Sequence, residues 1–379
     1  MSLIFHKPLE ILVVCLLFPF MAGAQSSNQQ KSQPAPSPRY LILETTKVST
    51  MQKELGDAAH AGYRVVAGIG RTILILERVA EPRGNYEYLL VEAIQQPINE
   101  AGAKGFRVPP ALVSDKIEGL LMEKAPDSNG QYQYLLLRLP SLQTELTEAG
   151  HQGYAVIGMT SELGYLDGYV LNPVVLMEKR SEAPNESAAP ATEAEAHSGQ
   201  DYLVLSGEGR LSLANAGNPF YARLNASVAE GYRVLDGPDS EVVLILQKPA
   251  RVEAPVQSNV LFATRGAEPM EKILNEAGAK GFRLLPRTFG SLEHNGFPHG
   301  FLASSGRALY GVVEKHPDSN ARYQYLVLAT SRISTMQKEL NQAADKGFGV
   351  AVMVLSEWTT RSDLPDFEYV VVLAKTVTE

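Results

Sequence analysis

One nine-residue sequence, NEAGAKGFR, occurs twice in the chain, at residues 99–107 and again at residues 275–283. Aligned with the rest of the chain, it reveals a wider pattern: Leu or Ile, two residues, Ala or Ser, three residues, Gly, an aromatic residue, one residue, and Val or Leu. The pattern occurs six times. Because internal repetition changes the unit that has to fold, the fold prediction starts from one copy of this pattern.

Each position of the pattern has a physical interpretation. The apolar and small residues recur at helical spacing and predict a buried stripe on a helix. The glycine follows where the helix ends and a left-handed residue is needed, a conformation that glycine adopts without steric cost. The aromatic and aliphatic residues after it have the period of a half-buried strand. The predicted helix-cap glycines are Gly62, Gly105, Gly153, Gly231, Gly281 and Gly347.

Apolar strands flank each predicted helix, such as "YQYLLLR" before the third and "YVVVLAK" after the sixth, so the predicted module is β-α-β-β. A right-handed crossover makes the first and second strands parallel, and a hairpin places the third strand between them. We therefore expect an α+β protein with mixed three-stranded sheets in the order 1-3-2, each covered by one helix. Because a lone sheet of this size is marginal, the modules should pack sheet to sheet or extend each other's edges.

Two further patterns bear on helix starts and on surface positions. Ser49 with Gln52, and Ser334 with Gln337, have the spacing of a capping box and predict helix starts. Arginine follows the Gly-aromatic pair in four modules. Its alternation with apolar residues favours a solvent-facing position or a bond to a nearby carboxylate over a repeated anion site.

The six modules are predicted to form two triplets. Segments beginning "EKAPDSN" and "EKHPDSN" join the second to the third and the fifth to the sixth module, whereas "STMQKEL" links the first to the sixth. Residues 181–200, rich in Ala, Glu, Ser and Pro, predict a flexible linker, and residues 25–38 a similar tether. The predicted boundaries are 39–180 for the first triplet (modules 39–80, 86–125 and 132–180) and 201–377 for the second (modules 201–249, 259–316 and 322–377).

The first 24 residues have the features of a signal peptide. Basic character at His6 and Lys7 precedes an apolar run over residues 11–21 and then the small residues Ala22-Gly23-Ala24. We expect cleavage near Ala24 and export to the periplasm or the extracellular space. The apolar run is shorter than the roughly 20 residues of a membrane span, and no later run is long enough, so the mature chain is expected to have no transmembrane segment.

The order of these elements resembles a small bacterial domain of unknown function. The resemblance is carried by the aromatic-x-aromatic-apolar strand, the helix with Leu-Asn-Glu-Ala-Gly, the Gly-aromatic-x-Val turn and a last strand that ends in Lys or Arg. That domain usually has tryptophan after the glycine, where this chain has Tyr or Phe in all six copies. The resemblance implies a fold and a bacterial origin, and it implies no activity.

No phosphate-binding loop, nucleophile elbow, HExxH helix or EF-hand loop is present in the sequence. The net charge of −8 argues against nucleic acid as the main partner, because such a partner needs a cationic surface. We therefore expect no catalytic residue, no cofactor, and an exported binding or scaffold protein whose partner is a protein or an envelope polysaccharide. The alternative is a hydrolase of envelope polymer, with loop carboxylates as acid and base.

A metal-binding module is a third possibility, because His294 and His299 lie in one insertion near Glu293. Two other histidines, His60 and His151, precede cap glycines, where a cation favours the helix dipole. The two Pro-Asp-Ser-Asn segments, which contain Asp127 and Asp318, are predicted turns rather than calcium sites.

The long connections between the second and third strands carry the remaining candidates. Loops on a rigid scaffold often hold binding residues, and aromatic side chains suit contact with sugars or protein surfaces. The alternative is that these side chains pack on neighbouring modules. The binding candidates are Tyr165, Tyr169, Phe297, Phe301, Trp358 and Arg361.

Overall fold

The computed structural model of the protein describes most of one compact unit, Pro38–Glu379. The residues described are 37–70, 72–80, 84–109, 112, 119–126, 128–138, 141–165, 169–181, 201–206, 219–237, 243–249, 256–264, 266–294, 306–359 and 365–377. The predicted signal peptide, nearly all of the tether and the linker after Ser181 lie outside these residues.

The described residues form six α-helices and eighteen strands in six small sheets. The helices are α1 (Val48–His60), α2 (Gln95–Gly102), α3 (Leu142–His151), α4 (Pro219–Ala229), α5 (Ala267–Ala279) and α6 (Ile333–Asp345). Sheets 1 to 3 contain β1 (Tyr40–Glu44), β2 (Tyr63–Ile69) and β3 (Ile73–Arg78); β4 (Glu87–Val91) and β5 (Leu120–Lys124); and β6 (Gln131–Arg138), β7 (Ala155–Tyr165) and β8 (Tyr169–Ser181). Sheets 4 to 6 contain β9 (Asp201–Ser206), β10 (Arg233–Asp236) and β11 (Val243–Lys248); β12 (Gln257–Thr264), β13 (Arg283–Leu284), β14 (Gly290–His294) and β15 (Gly306–Lys315); and β16 (Arg322–Thr330), β17 (Gly349–Thr359) and β18 (Pro365–Val377).

The protein is α+β, and every strand pairing in the described residues is antiparallel. In sheets 1, 3, 4 and 6 the third strand lies between the first and the second, so the order is the expected 1-3-2. The expectation of mixed sheets, however, is wrong. The first and second strands are both antiparallel to the strand between them, so no parallel pair can form hydrogen bonds.

Sheets 2 and 5 depart from this arrangement. Among the described residues, sheet 2 pairs β4 with β5, and Arg107 adds a single bridge to Glu123. In sheet 5, β15 pairs with β12 on one side and with both β13 and β14 on the other. Pro109 comes two residues after the Arg107 bridge and Pro286 two residues after the last residue of β13, and proline cannot donate to a strand ladder.

The six glycines predicted to end the helices all have left-handed backbone angles, with φ between 82° and 94°. After five of them, the aromatic N–H donates a hydrogen bond of 3.0 to 3.1 Å back to the small residue of the pattern. These bonds are Phe106 to Ala101, Tyr154 to Ala149, Tyr232 to Ser227, Phe282 to Ala277 and Phe348 to Ala343.

The predicted capping boxes are wrong. Helix α1 follows Lys47 and helix α6 follows Arg332, and neither residue makes a side-chain cap hydrogen bond in the described part of the chain. The side chains of Gln52 and Gln337 instead bond to strands of the next sheet in the series.

Each helix packs between its own sheet and the following one. Met51 and Leu55 of α1, for example, share one apolar cluster with Leu76 of sheet 1 and with Tyr88 and Leu121 of sheet 2. The described residues form six such clusters, one for each helix. The expected helix therefore covers one face of each sheet, and the other face is covered by the helix of the preceding module rather than by a second sheet. Strands of different sheets do lie side by side, as β17 does with β2 and with β14, but no pairing among the described residues makes one sheet extend another.

Both faces of the strands are apolar, so each sheet packs against the helix of the preceding module as well as against its own helix. In β1, Leu41 and Leu43 join the cluster of α1, whereas Tyr40 and Ile42 join the cluster of α6. The last contact also closes the series, because α6 packs on β1 as α1 packs on β4. Sheets and helices therefore alternate in a closed ring within this unit. None of the helices in the described residues is both long enough and apolar enough to cross a membrane.

Candidate functional site

Each helix packs on the first strand of the following sheet, a contact called a joint below, and at five of the six joints in the described residues amide side chains connect the two. At the α1–β4 joint, Gln52 donates to the carbonyl oxygen of Tyr88 (2.5 Å) and accepts from the backbone N–H of Leu90 (3.0 Å). A neighbouring strand would make the same two bonds, so the amide covers an open sheet edge. The same role falls to Asn99 on β6, Gln143 on β9, Asn275 on β16, and Gln337 with Asn341 on β1.

A buried tyrosine of the first strand completes five of the six joints. Its hydroxyl oxygen accepts a hydrogen bond of 2.8 to 3.3 Å from the backbone N–H at the second strand of the preceding sheet. Burial raises the pKa of Tyr202 and of Tyr325 to about 12, so these phenols stay protonated. The five tyrosines are Tyr40, Tyr88, Tyr134, Tyr202 and Tyr325.

Two of these joints also contain a buried carboxylate. Glu123, with a side chain only 7% exposed, accepts from Arg64 Nη2 (2.8 Å) and from the hydroxyl group of Tyr88 (3.0 Å). At the next joint, Glu178 accepts from Arg107 Nε and from the hydroxyl group of Tyr134, both at 2.8 Å. Two of the four arginines that follow a Gly-aromatic pair, Arg64 and Arg107, thus bond to a carboxylate of a neighbouring sheet, which was one of the two expected positions.

The α4–β12 joint differs from the other five. Ser258 lies opposite Glu314, as Tyr88 lies opposite Glu123, so a serine occupies the tyrosine position. Tyr221 occupies the position that Gln52 has in α1. Ser258 is buried, and its Oγ has no hydrogen-bond partner in the described part of the structure. The two polar residues that define the other joints are therefore both replaced here.

A buried acid lies where sheets 3, 4 and 5 meet. Asp236 accepts from the backbone N–H groups of Gly237 (2.7 Å) and Met159 (3.1 Å), and its Oδ2 lies 3.8 Å from Arg287 Nε. Arg287 in turn donates to the carbonyl oxygens of Ile157 and Leu235. Burial raises the pKa of Asp236 to about 6, although Arg287 and the two N–H groups oppose this shift.

A cleft of about 390 Å³ opens beside the α2–β6 joint. Four amides, three tyrosines and one serine supply its polar groups, and the described residues that line it include no Asp, Glu, His, Lys or Arg. The lining residues are Gln95, Asn99, Ala103, Gln131, Tyr132, Gln133, Tyr134, Leu135, Tyr154 and Ser181. Asn99 and Ala103 belong to the first copy of the repeated nine-residue sequence.

Two tyrosine rings of this cleft are held in place by neighbouring groups. The guanidinium of Arg107 lies 5.5 Å from the ring centre of Tyr132, and Lys179 Nζ lies 5.7 Å from that of Tyr154. The hydroxyl group of Tyr154 also donates to Gln133 Oε1 (3.3 Å). Burial raises the pKa of Tyr154, so its hydroxyl group is neutral at physiological pH. The described lining residues therefore present fixed aromatic rings and amides, and none of them carries a charged side chain.

The predicted binding residues lie in other places. In the strand register, Tyr165 pairs with Tyr169 at the described end of the β7–β8 hairpin, and Trp358 pairs with Asp366 near the described end of the β17–β18 hairpin. Where described, these connections are extended strands rather than loops. Phe297, Phe301 and Arg361 lie outside the described residues.

Among the predicted metal ligands, His294 ends β14 and His299 lies outside the described residues. No group of three or more His, Cys, Asp or Glu side chains in the described ranges is placed to hold a metal ion. His60 lies with Nδ1 2.7 Å from the carbonyl oxygen of Gly56, and His151 Nε2 is 3.7 Å from Asp201 Oδ1. Asp318 lies in an exposed turn, and Asp127 lies outside the described residues.

Comparisons with protein-family models, with curated proteins and with solved structures found no match. The function of the joints and of the cleft is therefore inferred from the chemistry of the residues that form them. The sequence analysis missed the amides that build the joints, although a signal was present. Gln, Asn or Glu recurs three residues before or one residue after the first aliphatic residue of the pattern in each helix.

Proposed function

We propose that the chain is an exported, non-enzymatic binding protein built from six copies of one β-α-β-β module in two triplets. The recurrence of joint chemistry supports the repeat. Asn99 and Asn275, at the same place in the two copies of NEAGAKGFR, each exchange two hydrogen bonds with the backbone of a tyrosine. The sequence pattern also relates the modules to the small bacterial domain that they resemble.

The neutral lining of the α2–β6 cleft carries the proposal of binding. General acid–base catalysis needs a titratable group within hydrogen-bond reach of the substrate, at a pKa near the working pH. The side chains that line this cleft are amides, aliphatic groups, a serine and tyrosines. They can orient a ligand by hydrogen bonds and ring contacts, and they favour binding over hydrolysis.

The buried carboxylates support the same proposal. Glu123 and Glu178 each bond to an arginine and a tyrosine of a joint, and Asp236 bonds to two backbone N–H groups. Each of these acids therefore has a structural role. If one of them took part in proton transfer, it would lose a hydrogen bond to one of these partners. The closed series of helices and sheets then acts as a rigid scaffold that presents the cleft.

The test is capture of a partner from native envelope material by the full chain. We expect one protein or polysaccharide to be recovered reproducibly, and we expect recovery to fall when Gln131 and Gln133 are both changed to Ala. Gln324→Ala is the matched control, because Gln324 has the place of Gln133 in the second copy of the segment and is also exposed. Turnover of envelope polymer by the purified chain, lost on substitution of a hairpin Asp or Glu, would instead establish the hydrolase.

A further inference from the structure

We propose that the α2–β6 cleft binds an uncharged oligosaccharide. This inference rests on the proposed binding function, because it names the ligand of that cleft. It has three supports: the chemistry of the lining groups, the closed edge of β6, and a comparison with the second copy of the same segment.

The lining groups match the chemistry of a sugar. A carboxamide both donates and accepts hydrogen bonds, as each sugar hydroxyl does, and the cleft has Gln95, Gln131 and Gln133 available at its exposed positions. The C–H face of a pyranose ring packs well on an aromatic face, and the rings of Tyr132 and Tyr154 are half-buried and fixed. The volume of about 390 Å³ lies in the range of small-ligand sites and fits a short oligosaccharide.

The closed edge of β6 argues against an extended peptide. A peptide would bind here by adding a strand to the open edge of sheet 3. At Tyr134, however, the backbone N–H and carbonyl oxygen are already bonded to Asn99 (2.7 and 3.1 Å). Helix α2 also approaches so closely at Gly102 that an added Cβ would overlap with the carbonyl oxygen of Tyr132. The backbone groups that a peptide would need are therefore covered.

The second copy of the segment has the same frame without the neutral lining. Residues 271, 322 and 348 have the places of residues 95, 131 and 154 at the α5–β16 joint. They are Glu271, Arg322 and Phe348, so an acid, a base and a phenylalanine replace two glutamines and a tyrosine. Glu271 also accepts from the backbone N–H of Val327 (2.9 Å). The frame is shared by these two joints, and of the two the α2–β6 joint alone has uncharged polar groups at all three positions.

The test is an array of neutral and acidic oligosaccharides probed with the full chain, followed by titration of the best neutral binder. We expect Gln131→Ala with Gln133→Ala to raise Kd at least tenfold. Tyr154→Phe, which keeps the ring, should raise it less than Tyr154→Ala. Gln324→Ala at the equivalent place of the second copy should leave Kd within twofold of the unaltered chain.

Each contrary result has a distinct meaning. If neutral oligosaccharides bind but the Gln131 and Gln133 changes leave Kd unaltered, the site is elsewhere, and the inference is wrong while the binding function stands. If only acidic oligosaccharides bind, or if only an envelope protein is captured, the ligand class is wrong and the binding function again stands. If no sugar binds and no partner is captured, both proposals are overturned.

Discussion

The hydroxyl group of Tyr134 lies 2.8 Å from Glu178 Oε2, across the strands of sheet 3, and its oxygen also accepts from the backbone N–H of Val108. Tyr134→Phe removes both bonds and leaves a buried carboxylate with one donor fewer. Hydrogen bonds to charged groups are worth about 1.5 to 3 kcal/mol, so we expect a loss of about 2 to 3 kcal/mol in the free energy of unfolding. Urea denaturation of the full chain measures this change.

Tyr325→Phe is the matched comparison for this prediction. Tyr325 is equally buried and its oxygen accepts from the backbone N–H of Leu284 (2.8 Å), but Ala374 lies opposite it instead of a glutamate. The expected loss is about 1 kcal/mol. Equal losses for the two variants would show that the carboxylate adds nothing to the joint.

Gly102→Ala is expected to destabilise the protein by about 1 to 3 kcal/mol, because it overpacks the α2–β6 joint. A Cβ at this position would overlap with the carbonyl oxygen of Tyr132 and lie 2.9 Å from a ring carbon of Tyr134. The control is Gly56→Ala in α1, where an added Cβ has no neighbour within 4 Å in the described structure. That change should stabilise by about 0.5 to 1 kcal/mol, since alanine is the better helix former. Stabilisation by both substitutions would contradict the close approach.

Ser258→Ala is expected to leave stability unchanged or to raise it slightly. Its Oγ is buried and has no hydrogen-bond partner in the described residues, so the substitution removes a desolvation cost without breaking a bond. Thr288→Val in the same region is the contrast. Thr288 is fully buried, donates to the carbonyl oxygen of Leu285 (2.7 Å) and accepts from the N–H of Val312 (2.8 Å), so about 1 to 3 kcal/mol should be lost. Thermal and urea melts of both variants decide the point.

The raised pKa of Asp236 predicts that the free energy of unfolding falls as pH rises from about 4 to about 6. Burial raises its folded-state pKa to about 6 from a usual value of 3.8, so the folded protein keeps a proton that the unfolded chain has already released. The stability from this group is thus complete below the unfolded pKa and is lost as pH rises through the folded pKa. At about 1.4 kcal/mol per pKa unit, the loss is about 2 to 3 kcal/mol.

Asp236→Asn isolates this contribution from those of other acids. Asparagine cannot titrate. Loss of the carboxylate near Arg287 also changes the free energy of unfolding, but by an amount that does not vary with pH in this window. We therefore expect the difference in unfolding free energy between the unaltered chain and this variant to shrink by about 2 to 3 kcal/mol from pH 4 to pH 6.5. A difference that stays constant would mean that Asp236 is already ionised at pH 4.

The sequence predicted the local features and missed those that depend on distant partners. The left-handed glycines and the 1-3-2 strand order follow from spacing within a few tens of residues. The bond between Arg64 and Glu123 joins positions 59 residues apart, and the sequence pattern shows only that an arginine alternates with apolar residues. The local spacing of Gln52 fits a capping residue, but β4 of the next sheet offers its amide two backbone partners, the carbonyl oxygen of Tyr88 and the N–H of Leu90.

The cleft could not be predicted because its lining comes from three separate segments. Gln95 and Asn99 lie on α2, residues 131–135 on β6, and Tyr154 follows α3. Only the packing of α2 between sheets 2 and 3 brings these segments together. The sequence analysis instead selected aromatic residues in the long connections between second and third strands. Two of them, Tyr165 and Trp358, lie near the ends of two different hairpins.

The contact between Tyr40 and Asn341, 301 positions apart in the chain, has a consequence for biosynthesis. Strand β1 emerges from the ribosome early, but the helix that covers Tyr40 and Ile42 emerges only with the last module. Until then an apolar face stays open to proteases, chaperones and other nascent chains. A contact of such long range also forms slowly, because the intervening loop must first close. Any chain truncated before α6 would keep that face uncovered, so quality control can recognise an incomplete product by its first strand.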